Sequence, residues 1–269
     1  MKKYNRPVVC YLYTKYDKIS SLRNFYNNYK KFKSGHNHDL VICYKLIEKN
    51  KITKIEKKIP KLKYLKFIDP NKKNDWDFGS YCRVAKNFSN RPILFMNSHS
   101  YPIKKNWLKI FMKHFKNKTI IATSGSYESI TKQVKFKKPF NFISFFKKKI
   151  KGKKSFYDFP NPHLNTSSFL IMGKDLIYFL KNKTFSTKYE TWKLESGFNS
   201  LTNTFKRKGY KLFVVNSDGH KFAEKNWMIS ETFNYKKQSK TLISDKHSRK
   251  YLKLNKLNKA KSQKSVWGI

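Results

Sequence analysis

Acidic residues and arginine are both scarce in this chain of 269 residues. Lysine and arginine together number 61 against 16 aspartate and glutamate residues, which gives a formal net charge of +45, and only six of the 61 are arginine. Arginine supplies the bidentate contacts on which specific recognition of nucleic acid often depends. The composition therefore disfavours a specific nucleic-acid-binding protein, although so basic a surface is expected to attract polyanions and anionic membranes.

Cysteine is also rare. The three residues Cys10, Cys43 and Cys82 each stand alone in an apolar stretch, and no Cys-x-x-Cys spacing occurs. That spacing is typical of zinc sites and of thiol redox sites, so neither is expected here. Isolated cysteines in an odd number are typical of buried thiols in a reducing compartment, and we expect a cytoplasmic protein.

The sequence has no long hydrophobic run and no segment that reads as a linker. No apolar stretch approaches the ~20 residues that a membrane-spanning helix needs. The N-terminal segment MKKYNRPVVCYLYTK lacks the small-residue cleavage site of a signal peptide. We therefore expect one α/β domain over residues 1–235, with an insertion at about 126–160, followed by a basic tail over 236–269.

Short apolar runs alternate with amphipathic stretches along the chain. The runs that we expect to form buried strands are 7–13, 39–47, 62–68, 91–96, 118–124, 166–172 and 211–215. Apolar residues recur at helical spacing from Ile19 to Tyr29, and a further helix is expected from about Glu195 to Lys208. This alternation predicts a Rossmann-like α/β fold, in which a mostly parallel central sheet carries helices on both faces.

Polar residues follow several of these runs. In open α/β sheets, ligands bind outside the carboxyl ends of the strands. Segments 14–17, 75–81 and 97–100 and the region around Glu195 are expected at that edge. Because the chain has few carboxylates, those of Asp75, Asp77 and Glu195 at such places point to a ligand site.

Four motifs stand in a characteristic order: DWDFGSY, ILFMNSHSYPIKKNW, NPHLNTSSFLIM and WKLESGFNSLTNTFKRKGYKLFVV. In this order they resemble the A-type glycosyltransferases, in particular those similar to family 2, over about residues 7–220 without the insertion. The resemblance implies a GT-A-type domain and an inverting hexosyl- or related transferase. Such an enzyme moves a sugar from a nucleotide-sugar donor to a glycan or lipid-linked acceptor, in surface polysaccharide or lipid-linked oligosaccharide synthesis.

The resemblance also implies a donor-binding set, which here comprises Thr14, Asp75, Asp77, Tyr81, Asn97, Ser98 and His99. In the family, an Asp-x-Asp motif after a central strand holds the donor diphosphate and a divalent metal, Mn²⁺ or Mg²⁺. Asn97-Ser98-His99 occupies that position without either carboxylate. His99 suits a transition metal better than Mg²⁺, and lysines are an alternative means of neutralising the diphosphate.

Two of these assignments compete with helix capping. Residues 97–100 would cap a helix opened by Pro102, and Asp77 would be the N-cap of the helix that follows it. The resemblance implies that Glu195, expected just before a helix, is the general base that deprotonates the acceptor hydroxyl. The alternative is an acidic first-turn residue that complements the helix dipole. His163 is expected to contact the acceptor.

Residues 135–156 interleave phenylalanines with lysines. Aromatic anchors beside a polybasic run favour peripheral binding to the anionic inner face of a membrane; the alternative is that the phenylalanines pack on the domain. Two other functions remain open. One is a basic protein that binds nucleic acid or another polyanion, with aromatic side chains as stacking platforms, and the other is a catalytically inactive relative of the transferases.

Overall fold

The computed structural model describes residues 6–59, 61–133 and 153–269. Its strands are β1 (Val8–Thr14), β2 (Asp39–Lys45), β3 (Leu65–Ile68), β4 (Pro92–Met96), β5 (Tyr101–Pro102), β6 (Thr119–Ala122), β7 (Gly125–Ser126), β8 (His163–Leu164), β9 (Ser168–Met172), β10 (Lys211–Val215), β11 (Lys221–Phe222) and β12 (Ile243–Ser244). Its α-helices are α1 (Ile19–Lys31), α2 (Lys49–Glu56), α3 (Trp76–Asn87), α4 (Trp107–His114), α5 (Ile130–Gln133), α6 (Gly173–Leu180), α7 (Lys188–Ser196), α8 (Leu201–Arg207), α9 (Lys246–Leu252) and α10 (Lys256–Trp267).

Eight strands form the central sheet, in the spatial order β11-β10-β6-β9-β4-β1-β2-β3. Strands β1, β2, β3 and β4 pair in parallel, as do β6 and β10. Strand β9 is antiparallel to both of its neighbours, and β11 is antiparallel to β10. Every apolar run that the sequence predicts as a strand contributes a strand to this sheet, which confirms the mostly parallel α/β fold.

Helices cover both faces of the sheet. Successive side chains of a strand point to opposite faces, so each strand contributes side chains to both layers. In β1, Val8, Cys10 and Leu12 pack with helices α3, α6, α7 and α8, whereas Val9, Tyr11 and Tyr13 pack with α1, α2 and α4. From Val8 to Tyr13 every residue of β1 is buried, and the run is apolar or aromatic, as is typical of a central strand covered on both sides.

Two predicted helices differ from those in the structure. Pro102 lies in β5 and not in a helix, and α4 begins only at Trp107. The helix expected from Glu195 to Lys208 is two helices, because α7 ends at Ser196 and Ser200 caps α8 by accepting a hydrogen bond from the backbone of Asn203. Glu195 therefore lies in the last turn of a helix.

Residues 236–269 pack against the rest of the described chain. Strand β12 pairs with β5, and a capping box between Asp245 and Ser248 begins α9. At the end of α10 the Trp267 side chain is buried, and its Nε1 donates to the carbonyl of Phe233 at 3.0 Å. The segment expected to be a basic tail thus contributes apolar side chains to the core.

The predicted insertion is only partly described, since residues 134–152 lie outside the described residues. At its described end, Phe156 is buried and packs edge-on against Tyr189. The packing alternative therefore holds for this one aromatic residue. None of the helices in the described parts of the chain is long and apolar enough to cross a membrane.

Candidate active site

A cavity of about 420 Å³ lies at the edge of the sheet where the parallel strands end. Asn97 follows β4 at this edge, and Thr166 and Ser167 lead into the antiparallel strand β9 from the same side. The residues that line the cavity are Asp77, Asn97, Glu128, Ile130, His163, Leu164, Asn165, Thr166, Ser167, Lys188, Trp192, Glu195, Ser196, Phe233, Asp245 and His247. Four residues predicted separately from the sequence thus meet at one cavity: Asp77, Asn97, His163 and Glu195.

Glu195 projects from the last turn of α7 and is half-buried in the cavity wall. Its Oε1 accepts a hydrogen bond of 2.5 Å from the hydroxyl of Thr166. Burial raises the pKa of Glu195 to about 7; the hydrogen bond from Thr166 and the charge of Lys188 oppose the shift, and the negative charge of Asp77 adds to it. A carboxylate whose pKa lies near neutrality can both take up and release a proton at physiological pH.

The position of Glu195 excludes the dipole-complementing alternative. An acidic side chain is stabilised at the first turn of a helix, where free N–H groups create a positive potential. Glu195 instead lies at the negative end of α7, whose first turn holds a different acidic residue, Glu190. The capping box with Thr187 already uses that residue. Helix stability therefore does not account for a carboxylate at position 195.

Asp77 is the second carboxylate on the cavity wall. It lies in the first turn of α3, which begins at Trp76 after the N-cap residue Asp75, so Asp77 is not the N-cap. Burial raises the pKa of Asp77 to about 6; Lys45 opposes the shift and Asp17 adds to it. The cavity thus has two acidic groups whose pKa values lie near neutrality.

Asp75 and Tyr81 do not line the cavity. The Asp75 carboxylate pairs with the ammonium group of Lys45 and accepts from Nη1 of Arg83 at 2.6 Å and from Nδ2 of Asn71 at 2.8 Å. Burial alone would raise the pKa of Asp75, but the bonds from Arg83 and Lys45 outweigh it and the pKa is lowered. Tyr81 lies in the core, where its ring packs against Phe95. Their roles in donor binding remain predictions.

Asn97 organises the turn after β4. Its Oδ1 accepts from the backbone N–H of His99 at 3.1 Å and from the hydroxyl of Ser100 at 2.8 Å. Ser98 is buried, and its carbonyl accepts from the hydroxyl of Tyr11 at 2.6 Å. Because α4 begins several residues later, at Trp107, this turn does not cap that helix, and the capping alternative is wrong.

Thr14 and His99 both lie beside Asp17. The Oδ2 of Asp17 accepts from the backbone N–H of Thr14 at 2.8 Å and from its hydroxyl at 2.7 Å, and Nε2 of His99 is 3.8 Å from Oδ1. Burial lowers the pKa of His99 and outweighs the opposing charge of Asp17; the cations Lys246 and Arg249 lower it further. His99 is therefore neutral at physiological pH.

A metal at His99 is poorly supported by these side chains. His99 and Asp17 would supply two ligands, and nowhere in the described ranges are three or more His, Cys, Asp or Glu residues placed to hold a metal ion. Protein sites for Mn²⁺ or Mg²⁺ are usually richer in carboxylate oxygens. The donor set does not fit a resident divalent ion, and we assign no chemical step to one.

His163 lies in β8 on the cavity wall. Its Nδ1 is 2.8 Å from the carbonyl oxygen of Asn161, so this nitrogen carries the proton of the neutral ring. Burial lowers the pKa of His163, and the ring stays neutral at physiological pH. The Nε2 atom is then a hydrogen-bond acceptor, which suits a contact with a sugar hydroxyl.

Several cavity residues were not singled out from the sequence, notably Thr166, Lys188, Trp192, Asp245 and His247. Thr166 stands in the motif NPHLNTSS and could have been noticed there as a polar residue beside a strand. Asp245 accepts from the hydroxyl of Ser167 at 2.7 Å, a contact across 78 positions. No local sequence pattern indicates such a contact.

Comparisons with known proteins leave the family open. No family model matches the chain, and no curated protein matches it. Among solved structures it is similar to HddC from Yersinia pseudotuberculosis, with 9% identity over 74% of this chain and 97% of that chain and a TM-score of 0.41. The apo-form glycosyltransferase GlyE of Streptococcus pneumoniae TIGR4 shows 10% identity over 77% of this chain and 45% of that chain, with a TM-score of 0.40. The mannosyltransferase Ktr4p of S. cerevisiae shows 10% identity over 70% and 59%, with a TM-score of 0.34. At these values the likeness establishes neither family nor function.

Proposed function

We propose that this chain is a glycosyltransferase that moves a sugar from a nucleotide-sugar donor to an acceptor hydroxyl, with inversion at the anomeric carbon. The observation that carries the proposal is Glu195, a carboxylate with a pKa near 7 on the wall of a cavity at the ligand-binding edge of the sheet. A general base for a hydroxyl nucleophile needs this combination of access and basicity.

In the proposed reaction, Glu195 takes the proton of the acceptor hydroxyl while that oxygen attacks the anomeric carbon. The bond between this carbon and the donor diphosphate breaks, and its electron pair leaves with the diphosphate. A single displacement of this kind inverts the anomeric configuration. Because the hydroxyl of Thr166 donates to Oε1, it fixes the carboxylate and leaves Oε2 for the acceptor.

The other cavity residues supply binding contacts in this scheme. Asn97 and Asp77 face the donor, where an amide and a carboxylate suit ribose and sugar hydroxyls. His247, which also lines the cavity, contacts the leaving diphosphate in this scheme. His163 serves the acceptor through its neutral ring. We place the acceptor among the glycans and lipid-linked sugars of surface polysaccharide or oligosaccharide synthesis, which is the role that the motif resemblance suggests.

A thermal-shift screen tests the proposal. Donors linked to UDP, GDP, dTDP and CMP are added with and without Mn²⁺, and one nucleotide class is expected to raise the melting temperature, because only ligands that prefer the folded state stabilise it. With that donor, Glu195→Gln should keep the shift and lose transfer by about 10²–10⁴-fold.

Glu190→Gln is the matched control. It removes a carboxylate from the same helix, its glutamine can still complete the capping box, and residue 190 does not line the cavity.

Equal shifts from all nucleotides and from heparin would instead support a polyanion-binding protein, for which the net charge of +45 is the supporting observation. A nucleotide-specific shift without any transfer would indicate the inactive relative.

A further inference from the structure

Helix α7 presents three chemically distinct side chains to the cavity. Lys188, Trp192 and Glu195 follow the spacing i, i+4, i+7, which places them on one face of a helix, and all three line the cavity. The ammonium of Lys188 lies 5.0 Å from the centroid of the Trp192 ring. Lys188 also lowers the pKa of Glu195, which indicates that the two charges interact across this face.

Trp192 stands out by its exposure. Trp192 is 37% exposed, whereas Trp107, Trp227 and Trp267 are buried in the core and Trp76 is half-buried. An indole ring in a core contributes a large hydrophobic stabilisation, and the part of that gain that belongs to the exposed surface is lost when the ring is open to solvent. Packing therefore accounts for the buried part of Trp192, and the exposed part is left open on the wall of the cavity.

We infer that Trp192 is the platform on which the acceptor sugar lies, one helical turn from the base. The inference rests on the proposed function and extends it to the acceptor. One face of a pyranose ring carries mainly C–H groups and packs on an indole ring, while its hydroxyls project sideways to polar partners. The acceptor is accordingly a glycan with an accessible sugar face, and not a protein side chain.

The spacing suits a single sugar ring. Residues three apart on a helix have Cβ atoms about 5–6 Å apart, which is close to the width of a pyranose. A ring stacked on Trp192 therefore brings one of its hydroxyls to the carboxylate of Glu195. Lys188, at the opposite end of the same face, donates to the hydroxyls at the far edge of the sugar. His163 and Asn165 line the cavity as further polar partners.

Sugar binding without catalysis tests the inference. A panel of methyl glycosides of common hexoses and N-acetylhexosamines is titrated against the protein, with saturation-transfer NMR on the sugar and tryptophan fluorescence on the protein. At least one glycoside should bind and quench the exposed tryptophan. Trp192→Ala should weaken that glycoside by about tenfold, the size of an aromatic stacking contribution, and Trp192→Phe by less.

Tyr178→Ala is the control, because Tyr178 is also an exposed aromatic residue, 53% exposed, and does not line the cavity. It should leave glycoside binding unchanged. Trp192→Ala should also keep the donor-induced thermal shift, since the platform serves only the acceptor. If no glycoside depends on Trp192, or if the variant loses the donor shift instead, the platform is wrong. If glycoside binding depends on Trp192 but no nucleotide sugar binds, the platform is supported and the proposed transferase function is wrong.

Discussion

Glu195 has neighbours of both charge signs, and these set the pH dependence expected of catalysis. The base must be ionised to accept a proton, so we expect kcat/KM to rise with pH through about 7, the pKa of Glu195. Asp77 raises this pKa and Lys188 lowers it. Asp77→Asn should therefore move the ascending limb to lower pH and Lys188→Gln to higher pH. A profile that neither variant moves would contradict the assignment of the base.

The same carboxyl group makes a prediction about stability. Its pKa in the folded chain lies above the ordinary value of 4.5, so its contribution to stability is fully present at low pH and is lost as pH rises through about 7. Glutamine does not ionise. Glu195→Gln should therefore melt a few degrees higher than wild type at pH 8.5 and show a smaller difference at pH 5. A difference in melting temperature that does not change with pH would show that the pKa of Glu195 is not raised in the folded chain.

Variants of Asn97 and His99 show whether these residues serve donor binding or the stability of the fold. Asn97→Ala removes the acceptor for the backbone of His99 and the hydroxyl of Ser100, whereas Asn97→Asp keeps an oxygen there. We expect Asn97→Ala and His99→Ala each to weaken donor affinity severalfold while lowering stability by about 1 kcal/mol or less. Calorimetric titration and melting curves measure the two effects. Normal donor affinity together with a lower melting temperature would show that these residues have only a structural role.

At the scale of elements, the positions of the strands were predictable from the sequence, but the boundaries of the helices were not. Each buried strand is a short run of apolar residues, a pattern that depends little on neighbours far away in the chain. A helical pattern of apolar residues runs across Gly197, and this is why one helix was expected there; its members are Leu194, Phe198, Leu201 and Phe205. The cap at Ser200 divides the segment, and a hydrogen bond from a single side chain does not alter hydrophobic periodicity.

The same limit applies to the candidate site. Asp77, Asn97 and His163 were predictable as polar residues near strand ends and Glu195 from the motif resemblance, and all four meet at the cavity. Trp192 was not, because its exposure depends on which face α7 turns to the cavity. Asp75 also precedes a helix in a polar loop, yet Lys45 and Arg83 bind its carboxylate away from the cavity. Sequence alone does not distinguish a carboxylate that faces a ligand cavity from one that is paired with basic side chains of the same chain.

The ion pairs around Arg83 connect α3 with the chain after β3. Its guanidinium pairs with Asp69 and Asp75, and Asp69 is buried. Removing one partner of a buried pair leaves an uncompensated charge, so Arg83→Ala should lower the free energy of unfolding by about 3 kcal/mol in urea. The pKa values of both aspartates are lowered, so their contribution is present above the unfolded pKa and the deficit should shrink as pH falls below about 4.

Lys51→Gln is the control for this variant. It breaks an ion pair with Glu48 in which both side chains are mostly exposed. Such pairs contribute about 1 kcal/mol or less, because water screens the charges and two long side chains lose rotamer freedom. Equal destabilisation by the two variants would mean that the network around Arg83 does not stabilise the fold.

At the scale of the whole molecule, the C-terminal segment completes the cavity. Phe233, Asp245 and His247 line one side of it, and Asp245 joins Ser167 to the start of α9. Asp245 and His247 come from the lysine-rich segment 236–269, in which no site was expected, and Phe233 lies just before it. A net charge of +45 therefore coexists with a cavity that carries several carboxylates, and the overall charge is a poor guide to the chemistry of the site.

The charge distribution makes a prediction about membranes. Each lysine near an anionic surface contributes about 1 kcal/mol, so the polybasic run at residues 147–154 is expected to draw the protein to anionic vesicles. Co-sedimentation with anionic and neutral liposomes at two salt concentrations measures this. The test variant changes six lysines to glutamine: Lys147, Lys148, Lys149, Lys151, Lys153 and Lys154. The control makes the same number of changes near the C-terminus: Lys250, Lys253, Lys256, Lys259, Lys261 and Lys264.

The two variants lower the net charge equally, so they separate a local effect from a global one. If residues 147–154 form a membrane contact, the first variant should lose most of its binding to anionic vesicles and the second should keep most of its own. Salt should weaken the binding of the wild type, because it screens charges beyond about 10 Å at 0.1 M. Equal losses would assign the attraction to net charge alone. Binding that ignores lipid charge would remove the membrane contact and leave the lysines as a solvated surface.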